Sequence, residues 1–128
     1  MLNGRTVLIV EAEFLIAFDF QRMLEQLEAV TLFARSPNEA RKHEQLWPTI
    51  DLAIVELAYD LEESRPLLDL LQRAGIPIIL STADAQMRQG HPEFPGAPVI
   101  VKPMAETDLH RAVVLALAGS IRTSGSAS

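Results

Sequence analysis

Five short apolar runs rich in β-branched residues, spaced between helix-like segments, set the strongest limit on how this chain folds. The clearest are Thr6-Val7-Leu8-Ile9-Val10, Leu52-Ala53-Ile54-Val55 and Ile76-Pro77-Ile78-Ile79-Leu80. Each is continuous rather than alternating, the pattern of a parallel strand covered on both faces. Val30 to Ala34 and Pro98 to Val101 are shorter and weaker, as strands near a sheet edge would be. Alternating β and α elements predict a doubly wound α/β domain with right-handed crossovers and helices on both faces. A chain of 128 residues suits one such domain. Residues 1–118 are expected to form it, with 119–128 as a short, polar, flexible tail.

Local punctuation supports this reading. Ser36-Pro37-Asn38-Glu39 joins an N-cap serine, a proline at the first helical position and a capping-box glutamate. Leu67, Leu71 and Ala74 make a stripe that stops at Gly75. Residues 108–117 carry Leu109, Val113, Ala116 and Leu117 on one face, predicting the last helix. Residues 84–89 predict a short helix, and residues 90–96 a loop. Trp47, ahead of Pro48, is expected to pack at the end of the second helix.

Composition excludes several functions. Cysteine is absent, which removes disulfides, thiolate metal sites and thiol nucleophiles, and suits the cytoplasm. A net charge of −6 argues against nucleic acid as a partner, because phosphates demand a basic face. No stretch is long and apolar enough to span a membrane, and the N-terminus lacks a signal-peptide pattern. His43, His91 and His110 lack metal-ligand spacing, and no glycine-rich phosphate loop is present.

In an open parallel sheet the functional site lies beyond the carboxyl ends of the strands. There the sequence places Glu11-Ala12-Glu13, Glu56-Leu57-Ala58, Ser81-Thr82-Ala83 and Lys102-Pro103, each just past an apolar run. Four chemically distinct groups converging on one rim mark it as the candidate site, with Glu56 at its centre.

Over residues 5–117 the chain resembles the receiver domain of two-component response regulators. The resemblance is carried by Val7-Leu8-Ile9-Val10-Glu11-Ala12-Glu13, Asp51-Leu52-Ala53-Ile54-Val55-Glu56, Ile79-Leu80-Ser81-Thr82-Ala83 and Val99-Ile100-Val101-Lys102-Pro103. Glu13-Phe14-Leu15-Ile16-Ala17 is similar to single-domain receivers without an output domain. It implies a five-stranded sheet in the order 2-1-3-4-5. It also implies a phosphoryl acceptor at Glu56, an acidic pocket at Glu11 and Ala12, a switch hydroxyl at Thr82, a phosphate-contacting Lys102 and a cis peptide before Pro103.

Three departures from the family decide the functional expectation. Glutamate at the acceptor position pushes the carboxylate on the order of 1.5 Å further out, enough to spoil in-line attack. Ala12 removes a carboxylate from the metal site, and Glu13 is expected to point elsewhere. Mg²⁺ held by Glu11 and Glu56 alone would bind weakly or not at all, so no cofactor is expected. Val99 stands where many receivers carry an aromatic relay. Glu56 is instead expected to reach Lys102 and Thr82, in the space a phosphoryl group would fill.

The resulting reading is an atypical receiver, not an enzyme, that binds a signalling protein such as a histidine kinase or a regulator. A homodimer stays open. Phe14 and Phe18, off the core stripe of the first helix, and Val114 and Leu115, off that of the last, are candidate partner surface together with Val99. Two rivals remain. One is a phosphorylatable response regulator using Mg²⁺ with Glu11 and Glu56, or with Ser81 as acceptor. The other is a flavodoxin-like binder of a flavin or small substrate.

Overall fold

The computed structural model describes residues 2–57 and 61–127, with side chains as far as Gly119; Ala58, quoted above, lies outside them. The chain runs β1 (Thr6–Val10), α1 (Phe14–Gln26), β2 (Val30–Ala34), α2 (Pro37–Lys42), a 3-10 helix (Glu44–Thr49) and β3 (Leu52–Glu56). It continues through α3 (Leu61–Arg73), β4 (Ile78–Thr82), a 3-10 turn (Ala85–Met87), β5 (Val99–Val101) and α4 (Glu106–Ala127). All strand pairs are parallel, in the order β2-β1-β3-β4-β5. The two weak runs, β2 and β5, are the edges.

Alternation along the strands sorts the core into two layers. Val7, Ile9, Leu52, Ile54, Ile79 and Ile100 face α1 and α4, where Phe20, Met23, Leu24, Leu109 and Val113 meet them. Leu8, Val10, Ala53, Val55, Ile78 and Leu80 face the other way, onto Ala40, Trp47, Leu67, Leu68 and Leu71. Fully buried side chains of this size each stabilise the fold by roughly 1.5–3 kcal/mol.

The caps show how local chemistry ends each element. Ser36 Oγ accepts the Glu39 amide at 3.1 Å, starting α2. α3 ends at Gly75, φ +76°, where the Gly75 amide returns to Gln72 and the Ile76 amide to Leu71, both at 3.0 Å. That double return is a Schellman closure, and glycine takes the left-handed position without a Cβ penalty. α1 closes the same way through Glu28 and Ala29, but with a glutamate at φ +68°. The sequence offered no glycine to mark that end.

Two expectations are corrected. The short helix expected over residues 84–89 is a single 3-10 turn, capped by Asp84 Oδ1 accepting the Gln86 amide at 2.9 Å. The segment after it is a loop, as expected, and is anchored: Phe94 is buried, and Arg65 Nη2 donates to both Glu93 oxygens at 3.1 and 3.0 Å. α4 also remains helical through Ala127, beyond the expected end at residue 117. Trp47 is buried, with its indole N–H on the Ala40 carbonyl at 3.2 Å.

Candidate functional site

The rim of the sheet continues the inward rows of its strands. Glu11 follows Val7 and Ile9, Glu56 follows Leu52 and Ile54, and Lys102 follows Ile100, so all three side chains belong to the α1/α4 side. The ladder carries on at their level: the Glu11 amide donates to Ala34 and the Lys102 amide to Thr82. The Lys102–Pro103 peptide is cis.

Lys102 lies between the two carboxylates. Its Nζ stands 2.7 Å from Glu56 Oε2 and 3.1 Å from Glu11 Oε1. The other oxygens are also taken. The Glu13 amide donates to Glu11 Oε2 at 3.1 Å, and the Ala12 amide to Glu56 Oε1 at 3.3 Å. Every carboxylate oxygen of the pair therefore has a donor. Side-chain exposure is 1% for Glu11, 13% for Lys102 and 20% for Glu56, so water competes little for these bonds.

The two carboxyls respond oppositely. Burial lifts Glu11 above its ordinary value, and contact with the Glu56 carboxyl adds to the rise, outweighing the Glu13 amide and Lys102. Burial pushes Glu56 up as well, but Lys102, Glu11 and the Ala12 amide together hold it below its ordinary value. For Lys102 burial favours the neutral form, and the two carboxylates more than offset it, so its value is raised. The two glutamates thus shift in opposite directions around one shared lysine, and Glu56 is the more firmly held as a carboxylate.

The remaining site residues divide. Thr82 does not join Glu56: it lies on the opposite row with Leu80, and its Oγ1 accepts the Asp84 amide at 3.1 Å. The expected contact is not formed among the described residues because the Thr82 side chain leaves the sheet on the row opposite to Glu56. Ser81, in register with Glu56, is fully buried, and its hydroxyl has no hydrogen-bond partner among the described residues. Glu13 is exposed at the start of α1 and contributes its amide, not its carboxylate. Among the described residues no group of three or more His, Cys, Asp or Glu is arranged to hold a metal ion.

The candidate surface residues are also resolved. Phe14 and Phe18 are uncovered, at 78% and 50% exposure, with ring centroids 6.4 Å apart. Leu15, which the helical wheel did not single out, is 76% exposed beside them. Val114 and Leu115 are exposed on α4. Val99 is half-buried and packs on the second core layer, so it is not open surface. No helix among the described residues is long and apolar enough to cross a membrane.

No family model matches the chain, and no curated relative does. Solved structures do. The signal receiver domain of an HD domain-containing protein from Pseudomonas fluorescens superposes with a TM-score of 0.69 at 21% identity, covering 94% of this chain and 99% of that one. SdrG from Pseudomonas melonis, in its BeF3-activated conformation, gives 0.72 at 26% identity, covering 90% and 98%. The anti-anti-sigma factor PhyR from Bartonella quintana gives 0.73 at 27% identity, with 93% of this chain on 50% of that one. The chain has the receiver fold of response regulators.

Proposed function

We propose that the chain is a cytoplasmic receiver-type signalling module that acts by binding another protein, with an output independent of phosphorylation at Glu56. The observation that carries this reading is the position of Lys102 Nζ, 2.7 Å from Glu56 and 3.1 Å from Glu11. The resemblance assigns the corresponding lysine to the phosphoryl oxygens. Here a resident carboxylate already meets it, held from the other side by the Ala12 amide. Glu56 carries one charge where a phosphoryl group would carry nearly two, so it satisfies the lysine without a transfer step.

The residues do not fit Mg²⁺. The ion demands near-octahedral oxygen ligands, while Ala12 offers a methyl group and each carboxylate oxygen already accepts from a nitrogen donor. In-line attack on a phosphoryl donor is disfavoured on the same grounds, since Glu56 would first have to leave Lys102. Thr82 accepts the Asp84 amide, and no bond links it to Glu56 among the described residues.

The partner proposed is a signalling protein such as a histidine kinase or a regulator, met through the exposed apolar residues Phe14, Leu15 and Phe18. Capture of partners from a cell extract by the intact chain tests the role of Glu56. Glu56→Gln, which loses the charge facing Lys102, should lose most of the capture. Equal capture by wild type, Glu56→Gln and Glu56→Asp would show that Glu56 carries no signal.

A further inference from the structure

The outer edge of β2 is left without a hydrogen-bonding neighbour. Val30 donates its amide to Arg5, and Ala34 accepts from Glu11, so residues 30, 32 and 34 direct their backbone groups at β1. In a parallel ladder the intervening residues then direct theirs away. The amides and carbonyls of Thr31 and Phe33 therefore line an open edge, and no other segment among the described residues bonds to them. Native edges are commonly blunted by a charge, a proline or a bulge. Val-Thr-Leu-Phe-Ala has none of these, and Val30 and Phe33 are exposed.

We propose that β2 pairs with β2 of a second copy of this chain, antiparallel about a twofold axis, joining two sheets into one. Three features favour a second copy over another occupant. First, the edge is self-complementary: a register centred on Leu32 sets Thr31 opposite Phe33 of the other copy, so both outward pairs exchange bonds at once. It also makes an aromatic–β-branched cross-strand pair, a favourable combination. Second, the strand ends carry opposite charges. Glu28 stands just before β2 and Arg35 just after it, both are exposed, and neither has an ion partner among the described residues. Antiparallel pairing brings Arg35 of each copy beside Glu28 of the other.

Third, the axis stands perpendicular to the joined sheet, so the two α1 helices flank the seam on one side. Met23 and Gln26 of α1 line the groove toward α4. On a wheel of about 100° per residue, Phe14 falls on the flank away from that groove, toward the β2 edge, and Phe18 stacks on it from the solvent side. The exposed rings thereby gain an apolar setting at the seam.

Sedimentation of the intact chain over a range of concentrations tests this. The wild type should show a reversible monomer–dimer equilibrium. Thr31→Pro removes an outward amide without touching the β1 ladder, so it should stay folded by circular dichroism and sediment as monomer. Arg35→Glu should weaken dimerisation at least tenfold, and adding Glu28→Lys to it should restore the wild-type constant. A wild type that stays monomeric throughout, a dimer that survives Thr31→Pro, or a charge swap that does not rescue would each overturn the proposal. None of these outcomes depends on the role of Glu56.

Discussion

The charged rim and the apolar flank of this molecule are opposites. At the rim, Lys102, Glu11 and Glu56 satisfy one another and two backbone amides close the set. On the flank, the rings of Phe14 and Phe18, the Leu15 side chain and the edge of β2 face outward without a cover. The exposed apolar capacity of the molecule lies on this flank and not at the strand ends. The difference teaches that one fold can close a polar network at its strand ends and leave an apolar face open on its flank, and under the proposed function the flank meets the partner.

The largest expected break in the comparison is at the lysine. Lys102→Met leaves two largely buried carboxylates without their cation and should cost roughly 3 kcal/mol of unfolding free energy. For a domain of this size the thermal midpoint should fall by on the order of 10 °C. A midpoint unchanged on calorimetry would mean that the rim is not self-satisfied.

Acid separates the two glutamates. Glu56 is held below the ordinary value of 4.5, so its contribution is present above that pH and fades as pH falls through its lowered folded value. Glu11 is raised, and its sign is reversed: ionising it costs stability at neutral pH, a cost that disappears on acidification. At pH 7 Glu56→Gln should therefore destabilise by about 1.5 kcal/mol or more, the worth of a charge-assisted bond. Glu11→Gln should be neutral or mildly stabilising. Urea unfolding of the two variants at pH 7 and near pH 4 checks both the order and its narrowing in acid.

The smallest stability effects are expected on the flank and at an orphan hydroxyl. Phe14→Ser with Phe18→Ser should change unfolding free energy by no more than about 0.5 kcal/mol, yet abolish partner capture. A large loss of stability instead would make the ring pair structural. Ser81→Ala should stay within the same narrow range or gain slightly, because the hydroxyl it removes has no hydrogen-bond partner among the described residues.

The architecture was legible because its signal is periodic and local. Continuous Val/Ile/Leu runs named the strands, their strength ordered centre and edge, and Ser36 and Gly75 fixed helix ends. The end of α1 was less legible, since Glu28 holds a position usually marked by glycine. At the site, the strand-end rule brought Glu11, Glu56 and Lys102 to one rim. It could not show that Lys102 bridges both glutamates, or that Asp84 would claim Thr82, because such contacts depend on side-chain reach and the turn that follows. The Arg65–Glu93 clamp joins residues from a helix and a loop with no pattern between them, and nothing in the sequence announces it.

Intact-mass measurement after incubation with acetyl phosphate and Mg²⁺ tests the central claim most directly. Wild type should gain nothing, while Glu56→Asp with Ala12→Asp, which restores the receiver pattern, should gain the mass of one phosphoryl group. A wild-type gain that Glu56→Gln abolishes would show that Glu56 accepts a phosphoryl group after all.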